Sequence, residues 1–163
     1  MAYPPAYMFD LQETIVMPDR TVIPGTRQAL ERLLQRNPDA ALGILSAAQT
    51  DKTIEVLEQA GLIHLFPREK LIVSMTDGLR LTPSIRKDEE VFRELHTYLW
   101  QMCHRICATY TDDTRNHAVK AVASGKVFGN IYHLDRRSGL TAPVQEEGYI
   151  RIASLDQMRE MTR

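Results

Sequence analysis

Three apolar runs in this chain each end on side chains that can do chemistry. AYMF (residues 6–9) runs into Asp10, AALGIL (40–45) into Ser46, and ICATY (106–110) into Thr111, Asp112 and Asp113. Carboxylates are ligands for hard divalent cations, and carboxylates and hydroxyls also serve as nucleophiles and hydrogen-bonding partners. A further stretch, PSIRKDEEVF (83–92), sets Arg86 and Lys87 just ahead of an apolar stripe. One reading of these two cations is simply solvated charge at a helix start. His96, Cys103, His104 and Cys107 also lie close in sequence. Their CxxxC spacing is not a usual zinc pair, and both cysteines sit among apolar residues, so they read as core positions and not as a metal site or a disulfide framework.

The elements that must position these residues follow from periodicity. Residues 6–9, 40–45, 70–74, 106–110 and 126–132 are short apolar runs of strand length, and GYIRIASLDQM supplies a last short strand and a terminal helical turn. Between them, TRQALERLLQR repeats Ala29, Leu30, Leu33 and Leu34 at helical spacing after Pro24-Gly25 and stops at Asn37-Pro38. DKTIEVLEQA is a second helix, with Thr50 or Asp51 as cap and Gly61 just past its end. Asp77-Gly78 predicts a small hairpin turn. Residues 87–102 predict a third helix with a stripe of Val91, Leu95, Tyr98, Leu99 and Met102, and residues 116–124 a fourth, closed by Gly125. Strands that are apolar throughout, alternating with helices, imply an α/β fold: a three-layer αβα, Rossmann-like, doubly wound and mostly parallel sheet. Ligands of such sheets sit outside the carboxyl ends of the strands. Asp10, Ser46, Asp112 and Asp113 all fall at those ends.

The 163 residues suit one domain spanning 1–163, and no internal repeat or linker interrupts it. Lys and Arg number 20 against 21 for Asp and Glu, a net charge of -1, so no general field draws a polyanion and nucleic acid is not implied. No apolar run approaches the roughly 20 residues of a membrane helix, and no Lys or Arg precedes Asp10. The expectation is a soluble, cytoplasmic protein.

The joint pattern resembles the haloacid dehalogenase-like superfamily. FDLQETIV (9–16) is similar to its first motif, Asp-x-Asp-x-Thr or Val, with Asp10 and Thr14 in register and Gln12 in place of the second Asp. ILSAA (44–48) resembles the second motif through Ser46. YTDDTRNHAVKAVASG (110–125) resembles the fourth, an acidic pair before a small-residue helix. Residues 83–92 occupy the place of the family's lysine; counting back from Phe92 favours Arg86, and chemistry favours Lys87.

The resemblance implies a Mg²⁺-dependent phosphohydrolase or phosphotransferase. Asp10 would attack phosphorus and form an aspartyl-phosphate. Mg²⁺ would lie between Asp10, the backbone carbonyl of Gln12, Asp112 and Asp113. Thr14, Ser46 and Ala47, with Arg86 or Lys87, would surround the phosphoryl group. Gln12 stands where the family keeps its proton-transferring Asp, and an amide exchanges no proton near neutral pH. Monoesterase turnover should therefore be weak or specialised. The alternative is a catalytically degenerate binding or scaffolding protein on the same fold. Asp113 is also open to a reading as a helix cap, Asp10 to one as a plain strand-end residue, and Asn116 to a weak metal-ligand role. A response-regulator receiver would place its acidic pair near the first strand, the reverse of the order here.

The 35 residues between Asp10 and Ser46 hold a flap, a helix and a strand, leaving no room for a cap domain. An uncovered cleft suits a phosphorylated substrate, large ones included, or a protein partner that covers it. Residues 17–19 of the flap, and Tyr132 and His133, are the rim residues this reading singles out.

Overall fold

A computed structural model describes residues 3–158 apart from 67, 68 and 84, so Ser84 of the 83–92 stretch lies outside the described residues. The strands are β1 (Pro5–Phe9), β2 (Ala41–Ser46), β3 (Ile72–Ser74), β4 (Ile106–Asp112), β5 (Ile131–Leu134), β6 (Val144–Gln145) and β7 (Ile150–Ile152). The α-helices are α1 (Thr26–Arg36), α2 (Thr50–Gln59), α3 (Glu89–Tyr98) and α4 (Arg115–Ser124). One sheet runs β3-β2-β1-β4-β5-β7-β6, parallel throughout except where β6 pairs antiparallel with β7. The fold is α/β and Rossmann-like. Strand order reverses between β1 and β4, and the crevice that such a reversal opens lies at their carboxyl ends.

Alternation along β1 divides the core. Tyr7 and Phe9 face Leu30, Leu33 and Leu57 of α1 and α2, while Ala6 and Met8 join Val91, Phe92 and Leu95 of α3 and Ala118 and Ala121 of α4. This two-sided burial is why β1, β2 and β4 read as unbroken apolar runs. Gly43 keeps β2 against this core, since a Cβ there would lie 2.7 Å from the carbonyl oxygen of Leu71. Between β1 and β2 the chain forms a hairpin flap, with Val16 bridging Val22 and Ile23 N–H donating to Ile15, followed by α1; no cap unit is inserted there. Among the described residues, no helix is long and apolar enough to cross a membrane.

Several local expectations need correction. Asp77-Gly78 turns no hairpin. Both Gly78 and Leu79 donate to the Ser74 carbonyl, and the Asp77 carboxylate instead accepts from the Thr50 N–H at 3.0 Å and its hydroxyl at 2.6 Å. That distant side chain caps α2, which neither Thr50 nor Asp51 does for itself. The third helix begins after Asp88, whose carboxylate accepts from Val91 N–H, and changes at Leu99–Cys103 into a π turn. Wider turns shift the helical phase, so Met102 leaves the stripe and is 51 % exposed. The fifth strand starts at Ile131, not at residue 126, because Phe128 N–H is spent on the Cys107 carbonyl and its ring is exposed. Tyr132 and His133 are consequently inside β5 and buried, not on a rim. The short β6 carries too little apolar pattern to be read in advance.

Candidate active site

Asp10 is the first residue beyond β1, and its backbone N–H donates to the Thr111 carbonyl of β4 at 2.9 Å. The strand pairing therefore fixes the spacing between Asp10 and Asp112. Into this gap comes Lys87, from the loop before α3. Its ammonium stands 2.5 Å from Asp10 Oδ1 and 3.4 Å from Asp112 Oδ2, and its side chain is 6 % exposed. Arg86, the other candidate cation, is exposed and points no hydrogen bond at Asp10. The backbone turn between α3's cap and the cleft thus separates two adjacent cations into one buried and one surface charge.

Asp112 is fully buried and accepts from four donors. The Tyr110 hydroxyl donates to Oδ2 at 2.5 Å, His117 Nδ1 lies 2.9 Å from the same oxygen, and Thr114 N–H donates to Oδ1 at 2.9 Å, with Lys87 the fourth. Burial alone would raise its pKa. The His117 hydrogen bond and the nearby Lys87 charge outweigh that and hold it well below the usual carboxylate range. Burial and the Asp112 charge push Tyr110 well above an ordinary phenol, so it remains a donor.

Asp113 does not cap α4, whose first N–H groups look to Thr114. It turns back to the flap. Thr14 shares its hydroxyl proton between Asp10 Oδ2 (3.3 Å) and Asp113 Oδ1 (3.4 Å), and Asp113 N–H donates to that same hydroxyl at 3.1 Å. Oxygens of Asp10, Asp112 and Asp113 all lie within 4.8 Å of one another. Burial, then the charges of Asp10 and Asp112, raise the Asp113 pKa to about 7.

The sign of that shift makes a prediction for metal-free protein. Between about pH 4 and 7 the folded chain keeps a proton on Asp113 that the unfolded chain, near 3.8, has released, so stability falls as pH rises through this window. Asp113→Asn is expected to remove that slope and to stabilise the protein at about pH 8 by on the order of 1–2 kcal/mol, a figure discounted for partial exposure. Urea unfolding in chelator at acid and alkaline pH measures both.

A cleft of about 770 Å³ opens over Asp10 and is lined also by Gln12, Ser46, Ala47, Arg86, Lys87 and His117. Ser46 Oγ accepts from Ala48 N–H at 3.1 Å, which closes the loop after β2 on the facing side. Gln12 is exposed at the mouth. Glu13 is not beside it in the cleft but lines a separate hollow with Asp113 and Arg136. Asn116 is exposed on α4 and does not join the acidic group.

Three residues of this constellation were missed in the sequence. Tyr110 is two residues before Asp112 on the same strand, and the period of two puts both on one face; that signal was available. His117 was overshadowed by Asn116 beside it. Arg136 donates to the carbonyls of Glu13 (2.7 Å) and Thr14 (2.9 Å), pinning the chain just after Asp10 from more than 120 positions away, and no local pattern announces it. The two cysteines stay apart from any such group: Cys107 is buried, its thiol pushed up to about 12 by burial, and Cys103 lies near the Lys70 carbonyl.

Comparisons with protein-family models and with curated proteins find no match. Among solved structures, the chain is similar to the hypothetical protein PH1952 from Pyrococcus horikoshii OT3, at 15 % identity and a TM-score of 0.35. The similarity covers 92 % of this chain and 62 % of that one, so the present chain spans less than two thirds of its length.

Proposed function

We propose that this chain is a Mg²⁺-dependent, haloacid dehalogenase-like phosphohydrolase or phosphotransferase with Asp10 as nucleophile. The observation that carries the reading is a carboxylate at the mouth of the strand-reversal crevice, ion-paired to a buried lysine and backed by two further carboxylates. The donor set fits a hard cation: all oxygen, three carboxylates, with burial and the charges of its two neighbours pushing the Asp113 pKa up to about 7. Asp10 and Asp113 would hold it most readily, because Asp10 Oδ2 and Asp113 Oδ1 share only the Thr14 hydroxyl, whereas Asp112 Oδ2 already accepts from Tyr110, His117 and Lys87. When bound, the cation offsets the repulsion between the anionic nucleophile and an anionic phosphate.

The chain's own residues define the steps. Asp10 attacks phosphorus as the bond to the leaving-group oxygen breaks, giving an aspartyl-phosphate. Lys87 and the Ser46 hydroxyl stabilise charge on the phosphoryl oxygens. The leaving oxygen must take a proton, and a water must later lose one, at the position where Gln12 has none to exchange. Attack is therefore supported better than turnover, and good leaving groups that need no proton are favoured.

This reading predicts accumulation of covalent phosphoryl. With Mg²⁺ and acetyl phosphate, acid-quenched protein should carry up to about one hydroxylamine-labile phosphoryl group per chain, lost in Asp10→Asn. A chain that binds phosphate yet never takes up label would instead be the degenerate binding protein, which the exposed Gln12 and the absence of a substitute acid from Glu13 favour.

A further inference from the structure

Building on the reading of the Asp10 cleft as a phosphate site, we propose that its substrate is a small phosphomonoester whose apolar body carries a second anionic group, held by Arg20, Lys52 and Arg86 of the cleft lining. The cleft holds about 770 Å³, the size of a site for a whole small molecule and far more than a phosphoryl group fills. Pro18, Val56, Met75 and Ile85 give it apolar walls.

Its charge is unlike that of the chain. Across the whole sequence acids and bases nearly balance, yet the residues lining this cleft include Arg20, Lys52, Arg86 and Lys87 against the single carboxylate of Asp10. Lys87 is already engaged by Asp10 and Asp112. Arg20 and Lys52 share one carboxylate, Glu55, at 3.4 and 3.6 Å, so that pair keeps one positive charge in excess. Arg86 is exposed and has no ion pair among the described residues. A phosphate seated at Asp10 and held by Lys87 leaves that excess of positive charge to a second anion.

Arg20 is also placed there at a cost. Its φ is +70°, in the left-handed region that a non-glycine residue avoids, and this turn swings the guanidinium off the flap onto α2, where Gln59 accepts from it at 3.0 Å and Glu55 at 3.4 Å. The flap and α2 thereby present Arg20 and Lys52 from two different elements at one rim. A second carboxylate or phosphate on the substrate supplies what that rim lacks.

The test compares two probes that differ only in the second anion and contain a carbon–phosphorus bond that Asp10 does not cleave: benzylphosphonate and 4-(phosphonomethyl)benzoate. Calorimetric titration of the wild-type chain with Mg²⁺ at low ionic strength should show the benzoate binding about tenfold more tightly, an advantage that shrinks at high salt. In Lys52→Ala/Arg86→Ala, both changes being at exposed positions, the ratio of the two affinities should fall to about one. Equal affinities in the wild type, or an advantage that survives the double change, overturn the second-anion subsite alone. Failure of both phosphonates to bind a folded wild-type chain overturns the phosphate reading of the cleft and this inference with it.

Discussion

Gln12→Asp is expected to raise turnover of an aryl phosphate by about 10²–10⁴-fold with Mg²⁺, the range that general acid–base assistance contributes. The site needs little else. Asp10 is in place beside Lys87, Ser46 faces the same cleft, and Gln12 is already exposed at its mouth. The backbone of Gln12 bridges Val16, so the flap's path is set by main-chain pairing and tolerates a shorter side chain. Asp10→Asn in the same background should abolish the gain, because the proposed nucleophile is then missing. The gain should be largest in kcat for esters with poor leaving groups, which depend most on a proton donor. If Gln12→Asp gains nothing and Mg²⁺ leaves the melting temperature unchanged, the enzymatic reading fails.

Lys87→Met should cost about 3–5 kcal/mol, a large part of the 5–15 kcal/mol that typically holds a domain together. The reason is the pair of carboxylates it leaves behind. Asp112 has no exposed side-chain surface and Asp10 little, so neither recovers in water what it loses in the ion pair. The pH dependence has a definite sign. In the wild type, the depressed Asp112 pKa contributes stability that is present above about 3.8 and lost as pH falls below it. Without Lys87 that carboxyl titrates at higher pH, and protonation removes the buried charge, so the gap between variant and wild type should narrow in acid. Arg86→Met, at an exposed position, should change stability by no more than about 0.5 kcal/mol. Denaturant titrations of the two variants at neutral and acid pH compare the adjacent cations directly.

The sheet was legible because burial on both faces removes any need for alternation: β1, β2 and β4 are unbroken apolar runs, and the residues at their carboxyl ends follow from where each run stops. What failed were features whose cause is remote. The cap of α2 is Asp77, 27 positions from Thr50. The start of β5 is hidden from local pattern because Val127 and Phe128 are apolar but belong to a loop tied to the Cys107 carbonyl. Around the candidate site, Arg86 and Lys87 were equivalent in sequence, and only the turn before α3 separates them. His117 and Arg136 become visible once α4 and the loop after β5 are packed, since each acts through a partner on another element.

The two borders of the sheet have a bearing on how another protein could meet this one. β3 offers an incoming strand three residues, and β6, turned against the direction of the rest, offers two. Edges this short give backbone addition little to hold, a common protection against chains zipping together in crowded solution. Any contact with another chain would thereby rest on side chains and not on strand addition.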